Sequence, residues 1–447
     1  MKAIIIGAGD VGFHLAGRLS QQGEEICVID LDQEKVDRVQ DHLDVLAIQG
    51  SGVDHGLLTR AGVSGADTLI AVTDNDEVNI IACQLGHRYG VELKIARIRG
   101  EYYYGNNPLA PFGELGIDVM VNPEEACALE VERLLKRAAA TDVVEFDNGA
   151  VVLMGIKISE HCLYRDMPLR RIAGEFERRK FLVAAISRED QTIIPHGDDV
   201  ILQDDLLYVI GKNEATSEIF RLTGHEDRRL ERVMVAGGTT VGILLARRLE
   251  SDGVSPVIFE ADRNRCGYLA EELGSTLVLN GDATDLDLLA AEGVDGVGGF
   301  VALTENDEAN IISCLVAKNM GAGKTIAQIK RLEYLSLANR IGIDAVVNPH
   351  LSTVNAILAT TARKGILSLV TLRGLSVQIM EVVIRAGLPV VGKPLKNLSL
   401  PGPCILGSVV RDQEIFIPHG DDRLEAGDKV IIFTLAKNAR KVVKYFL

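Results

Sequence analysis

The 447-residue sequence predicts an α/β protein made of two tandem units, each a doubly wound parallel-sheet domain followed by a smaller α+β domain. Three repeats carry that prediction. The hexapeptide Ile-Pro-His-Gly-Asp-Asp occurs at Ile194 to Asp199 and again at Ile417 to Asp422. AVTDNDEVNI, from Ala71 to Ile80, is echoed by ALTENDEANI from Ala302 to Ile311, and GIDVMVNP from Gly116 by GIDAVVNP from Gly342. The copies lie 223, 231 and 226 residues apart, so a few short insertions or deletions within one tandem duplication account for all three.

Length and composition fit this plan. A chain of 447 residues is too long for one core, and 47% hydrophobic residues suffice to fill several. No stretch has the eighteen or so predominantly apolar residues of a membrane helix. Even the uncharged run from Ala345 to Ala362 contains Asn348, Pro349, His350 and Asn355. The opening MKAIIIGAGDVG turns to glycine and Asp10 after a short apolar run, which suits a buried first strand better than a signal peptide and points to the cytoplasm. Seven cysteines without a C-x-x-C pair read as small buried hydrophobes rather than disulfides or a zinc site, and Cys83 and Cys314 occupy equivalent repeat positions. A net charge of −16 argues against nucleic acid or anionic lipid as the main partner.

The first larger domain begins with a strand, the loop Gly7-x-Gly9-x-x-Gly12, an amphipathic helix ending at Gly23, and a second strand closing on Asp30. This is the element order of a dinucleotide-binding fold. Gly7 permits the tight turn, Gly9 lets the backbone approach a pyrophosphate, and Gly12 lets the helix pack on the strand. Ala8, Asp10 and Val11 complete the loop and first helical turn, whose amides face the phosphates. Asp30, placed to accept from ribose hydroxyls, disfavours a 2′-phosphate and so selects NAD over NADP. Further strands at VLAIQG, TLIAVT, KIARIR and DVMVN give a six-stranded parallel sheet. Its ligand-facing edge includes Gly50, Ser51, Thr73, Asp74, Arg97 and Arg99. Arg97 is the candidate phosphate contact, with a surface salt bridge as the competing reading. Asp74, Asp76 and Glu77 could suggest a metal, but a helix cap at Asp74 or Asn75 explains the cluster better.

The second copy repeats the plan with changes. Gly237 aligns with Gly7, Gly238 with Ala8, Thr239 with Gly9, Gly242 with Gly12 and Glu260 with Asp30. At Thr239 a Cβ and a hydroxyl stand where the backbone should approach phosphate. Gln328 replaces Arg97, although Lys330 and Arg331 are near. This second pocket is open to three readings: a mononucleotide such as ATP or ADP, a weaker dinucleotide, or nothing.

After Pro123 the helix EEACALEVERLLKRAAA leads out of the sheet into short strands at VVEFDNG, AVVLMGIKI, FLVAAISR and DLLYVIG. IPHGDD lies between the last two. Pro195 and Gly197 force a turn, Asp198 and Asp199 suit its amides, and no Ser, Cys or Lys is obviously paired with His196 or His419. Turn scaffolding therefore outweighs catalysis. The domains expected are 1–123, 140–225, 230–350 and 366–447.

G-A-G-D-V-G with Asp30, T-D-N-D-E-V-N, and a small β-rich module bearing P-H-G-D-D and a later D-D or G-D together resemble the regulator-of-potassium-conductance family, in its form with two units in tandem. The resemblance implies nucleotide-binding larger lobes (NAD or NADH in the first), and smaller lobes that dimerise or bind effectors. It also implies docking on a membrane potassium-translocating subunit of the TrkH/TrkG type, at the inner face of the cell membrane. Single-unit relatives form rings of eight larger lobes, which four copies of a tandem chain would supply. The small lobes are the expected subunit contacts. The chain has no T-V-G-Y-G filter, so any ion passes through a partner. A regulator ranks first, a structural adaptor with a vestigial second pocket second, and an NAD-dependent oxidoreductase last, since no catalytic acid or base is convincingly placed.

Overall fold

The computed structural model describes residues 1–447 except 101–102, 104–111, 175, 177–179, 190, 226–229, 362–365, 372–376, 413, 436–437 and 447. The chain divides into two compact units, Met1–Cys127 with Asn348–Arg363, and Ala128–Val347 with Lys364–Leu447.

The first unit is built on β1 (Lys2–Ile6), α1 (Asp10–Gln21), β2 (Glu25–Asp30), α2 (Gln33–His42), β3 (Leu46–Gln49), α3 (His55–Arg60), β4 (Thr68–Ala71), α4 (Asp76–Arg88), β5 (Leu93–Arg97) and β6 (Val119–Val121). The strands form a parallel sheet in the order β3-β2-β1-β4-β5-β6. Ala3 to Ile6 are buried without alternation, as expected of a strand covered on both faces. Helix α1 buries Val11, Leu15, Ala16 and Leu19, one stripe of a 3.6-residue repeat. The strand order reverses between β1 and β4, so a crevice opens beyond their C-terminal ends.

Helix α5 (Pro123–Lys136) leaves this sheet and from Ala128 belongs to the second unit. There Glu132 pairs with Arg248 at 3.0 Å and Lys136 with Asp252 at 2.7 Å. The second unit continues with β7 (Ala140–Phe146), β8 (Val151–Lys157), α6 (Leu169–Ile172), β9 (Phe181–Arg188), β10 (Gln191–Ile193), β11 (Leu206–Lys212) and α7 (Thr216–Thr223). A second parallel sheet follows, from β12 (Arg232–Ala236), α8 (Thr240–Ser251), β13 (Ser255–Glu260), α9 (Arg263–Glu272), β14 (Leu277–Asn280), α10 (Leu286–Ala291), β15 (Gly299–Ala302), α11 (Asp307–Asn319), β16 (Thr325–Gln328), α12 (Leu332–Arg340) and β17 (Ala345–Val347). Its order, β14-β13-β12-β15-β16-β17, copies the first. Helix α13 (Pro349–Thr360) then returns to the first unit, where Val354, Ile357 and Leu358 join the core under α1. Each sheet is thus completed by the helix that follows the other.

The small lobes are antiparallel. The first has the order β10-β9-β11-β8-β7; the second uses β18 (Ile366–Thr371), β19 (Val377–Val383), β20 (Cys404–Arg411), β21 (Glu414–Phe416) and β22 (Lys429–Leu435) in the order β18-β19-β22-β20-β21. Phe146, Leu153, Tyr208 and Ile210 of one sheet share a core with Val377, Ile379 and Phe433 of the other. One face of each small sheet is therefore covered within the chain, so a subunit contact through these lobes has to use another surface.

The repeated hexapeptide is a turn in both copies. Asp199 accepts from the His196 amide at 2.6 Å, and Asp422 from the His419 amide at 2.7 Å. The turn carbonyls then accept from the segments after Pro168 and Pro394: Gly197 from Arg170 and Gly420 from Lys396, both at 2.8 Å. The later D-D and G-D also have a structural job. Asp205 and Asp428 are buried, each held by two 2.8 Å bonds from one guanidinium, Arg188 or Arg411. All seven cysteines are free. No helix among the described residues is long and apolar enough to cross a membrane.

Candidate nucleotide pockets

The crevice beyond β1 and β4 is lined by the glycine loop, and its three glycines answer to different demands. Gly7 has φ +103°, and a Cβ there would lie 3.0 Å from the Thr73 amide. A Cβ on Gly12 would come within 1.8 Å of the Gly7 carbonyl. Both positions are fixed by the protein itself. Gly9 is not: its φ of −62° suits any residue, and a Cβ would meet nothing within 4 Å. Gly9 is also the N-cap of α1 and leaves that helix end without a side-chain cap. The uncapped amides of Asp10 and Val11 therefore face space that the loop keeps clear, a setting suited to a phosphate.

Asp30, at the end of β2, does more than the sequence suggests. One carboxylate oxygen accepts from the Ala8 amide at 2.6 Å and the other from the Asp32 amide at 2.9 Å. The side chain expected from the sequence at a ribose ties down the loop, and a carboxylate has lone pairs for both tasks. Asp30→Ala is accordingly expected to lower stability by roughly 1–3 kcal/mol as well as weaken dinucleotide binding, to be read by urea titration alongside NADH titration.

On the other side of the crevice, Ser51 accepts from the Asp54 amide through its carbonyl at 3.0 Å. Thr73 is held by Asn79, which is fully buried. Asn79 Oδ1 accepts from the Thr73 amide and hydroxyl at 3.0 and 2.7 Å, and Nδ2 donates to the carbonyls of Thr73 and Arg97 at 3.0 and 2.8 Å. One amide side chain thus fastens the ends of β4 and β5. Asn310 makes the same four bonds to Thr304 and Gln328 in the second sheet. The repetition of T-x-N-D-E-x-N was the available signal for this clamp.

Arg97 differs from the expectation of a phosphate-facing side chain. Only 5% of it is exposed, and Nη1 pairs with Asp74 at 2.9 Å. Burial, and next the charge of Arg99, lower its pKa, while Asp74 acts the other way. Sitting at the end of an interior strand draws this guanidinium beneath the edge, with the exposed Asp74 folded over it. The neighbouring carboxylates serve the backbone: Asn75 caps α4 by accepting from Val78, and Asp76 accepts from the amides of Arg99 and Gly100. Among the described residues no cluster could hold a metal ion.

The second crevice keeps this scaffold but seals the loop. Gly237 again has φ +103°, and a Cβ on Gly242 would lie 2.5 Å from the Gly237 carbonyl. Glu260 accepts from the amides of Gly238 and Asp262 at 2.9 and 2.8 Å, as Asp30 does in the first copy. Thr239, however, accepts from the Gly242 amide at 3.3 Å and donates to the Leu303 carbonyl at 3.0 Å. The helix caps itself where the first copy leaves room. Arg265 Nε also donates to the Gly238 carbonyl at 2.9 Å, Lys330 pairs with Glu305, and Arg331 with Glu308.

Two doubly wound lobes, each with a glycine loop tied to a carboxylate at the end of the second strand and each followed by a small antiparallel lobe, define a tandem nucleotide-fold protein. The chain belongs to the TrkA family. The family's TrkA-N domain matches residues 3–123 and 233–349, and its TrkA-C domain residues 153–224 and 379–447. The chain is 38% identical to Trk system potassium uptake protein TrkA homolog 1 of Methanosarcina mazei, with both chains covered completely. It is 33% identical to the TrkA protein of Azorhizobium caulinodans, covering 100% of this chain and 98% of that one. The corresponding figures for the TrkA protein of Halomonas elongata are 35%, 98% and 96%. Among solved structures, the GsuK channel bound to NAD superposes with a TM-score of 0.59 at 16% identity, over 100% of this chain and 78% of that one. The GsuK RCK domain gives 0.58 at 15%, over 100% and 94%. At such identities the likeness is one of fold.

Proposed function

We propose that this chain is the nucleotide-binding regulatory subunit of a potassium-uptake system, not an enzyme. Its first crevice takes NAD or NADH. The second takes ATP, ADP or a dinucleotide more weakly. The partner is a membrane potassium-translocating subunit of the TrkH/TrkG type, reached from the cytoplasm. The names of the relatives support the transport role, and the observation that carries the ligand is Gly9, a glycine that neither backbone nor neighbours require.

In this reading the amides from Gly7 to Gly12 receive the diphosphate, Asp30 accepts from the adenosine ribose, and Ser51 and Thr73 border the far end. The nicotinamide supplies a difference in ring charge between its two oxidation states. Gating needs only that two conformations bind the nucleotide unequally. Shifting a gate from mostly closed to mostly open takes about 5.5 kcal/mol, of which four coupled first pockets would each supply about a quarter. The self-capping by Thr239 favours, as a second reading for that pocket alone, a purely structural role.

Titrating the purified chain with NAD, NADH, ATP and ADP, alongside an assay for hydride transfer, separates regulator from oxidoreductase: binding without turnover is expected. A tetramer of 48.3 kDa chains is also expected, near ~193 kDa by light scattering. A stable monomer at micromolar concentration would remove the summation over four sites.

A further inference from the structure

The first pocket has an arginine and a histidine at its mouth that the sequence did not single out. Asp10 opens α1, directly after Gly9, and its carboxylate faces both. Arg38 Nη1 of α2 pairs with Oδ1 at 3.1 Å, and His350 Nε2 of α13 lies 3.9 Å from Oδ2. Arg38 is steadied from below by the Phe13 ring, whose centroid is 4.2 Å from its guanidinium carbon. His350 is brought there by a helix from the second half of the sequence, which is anchored on α1 by the 2.7 Å bond from Arg18 to Asn355. His14, one turn along α1, faces the same group. Its Nε2 is buried and makes no hydrogen bond among the described residues; burial lowers its pKa, Asp10 raises it, and Arg38, Arg18 and His350 lower it.

The second sheet has nothing comparable at the matching positions. Thr240 stands for Asp10 and Tyr268 for Arg38. The second loop has its own guanidinium, Arg265, but this one donates to the Gly238 carbonyl and lies over the Tyr268 ring. A guanidinium and an imidazole within one helical turn of uncapped amides suit an anion better than a lone exposed carboxylate, because their bonds to a diphosphate add to those from the helix end.

We propose that Arg38 and His350 are further phosphate contacts of the first pocket, with Asp10 competing against the diphosphate for both. The inference rests on reading that crevice as a nucleotide site. It gives that site a direct link to the second half of the chain, since α13 feels whatever Asp10 and the phosphate exchange. It also assigns opposite signs to neighbouring residues: Arg38 and His350 favour the ligand, and the Asp10 carboxylate opposes it.

The test is calorimetric titration of the full chain with NADH, ADP and adenosine, for the wild type and for R38Q, R38K, H350Q and D10N. R38Q is expected to lose about tenfold in affinity for NADH, and H350Q about threefold, with ADP binding at the second pocket and adenosine binding unchanged in both. R38K, which keeps the charge, should recover most of the loss, and D10N should bind NADH several-fold more tightly. If the wild type does not bind NADH, the nucleotide site itself is refuted. Wild-type binding with R38Q and H350Q unaffected would overturn this inference alone. So would an equal loss for adenosine, which would mark a structural role.

Discussion

Replacing Gly9 by threonine is expected to make the protein more stable and to cost it about a hundredfold in NADH affinity. The two effects have one origin. Thr239 holds the equivalent N-cap with φ −70° and ψ 170°, close to the −62° and −173° of Gly9, so a threonine fits the backbone at position 9 unchanged. Its hydroxyl would accept from the Gly12 amide as that of Thr239 accepts from Gly242, and a cap of this kind contributes roughly 1 kcal/mol. The same atoms would fill the space into which a Cβ at position 9 projects, which the proposed function gives to the pyrophosphate. A urea titration and an NADH titration of one variant read both signs together, and a rise in stability removes misfolding as an explanation for lost binding. The reverse change, Thr239→Gly, should lower stability by a similar amount. Unchanged NADH affinity in Gly9→Thr would mean that the clear space serves some other end.

Lys324→Met is expected to cost about 2 kcal/mol of stability. Lys324 is 1% exposed, and Nζ donates to the carbonyls of Leu134, Arg137 and Ala140 at 2.5, 3.0 and 2.6 Å. These carbonyls end α5 and lead into β7, so one ammonium caps the helix that completes the second sheet. Burial pulls its pKa down to about 7, with Asp344 and Asp142 acting the other way and Arg137 adding to the fall. Methionine fills much of the volume but removes a charged donor from three buried carbonyls, of which those of Leu134 and Arg137 keep the amides of Arg137 and Ala140. The urea midpoint of the second unit should fall accordingly. A loss below about 1 kcal/mol would show that the helix end can find other partners or water.

Much of this architecture was legible because it rests on local rules. The glycine loop, the six strands of each larger lobe and the turn at IPHGDD follow from spacing and from residues with restricted backbones. Contacts between distant segments were not. Arg97 read as a ligand contact because its place at a strand end is visible in the sequence, whereas its burial and its pairing with Asp74 depend on how β4 and α4 close over it. Asn79 was not singled out, because its four bonds reach two strand ends that only the folded sheet brings together. The exchange of α5 and α13 left no periodicity to read, since an apolar stripe says that a helix packs but not on which sheet. Lys324 is hidden even from the repeat, because its counterpart in the first sheet is Leu93, which packs against that sheet's core.

The central claim is that one of two similar crevices is an open nucleotide site and the other is sealed by its own threonine. Calorimetric titration of the full-length chain with NADH tests it most directly. One tight site per chain, with no oxidation of the ligand, is the predicted result; two sites of equal affinity, or none, would contradict it.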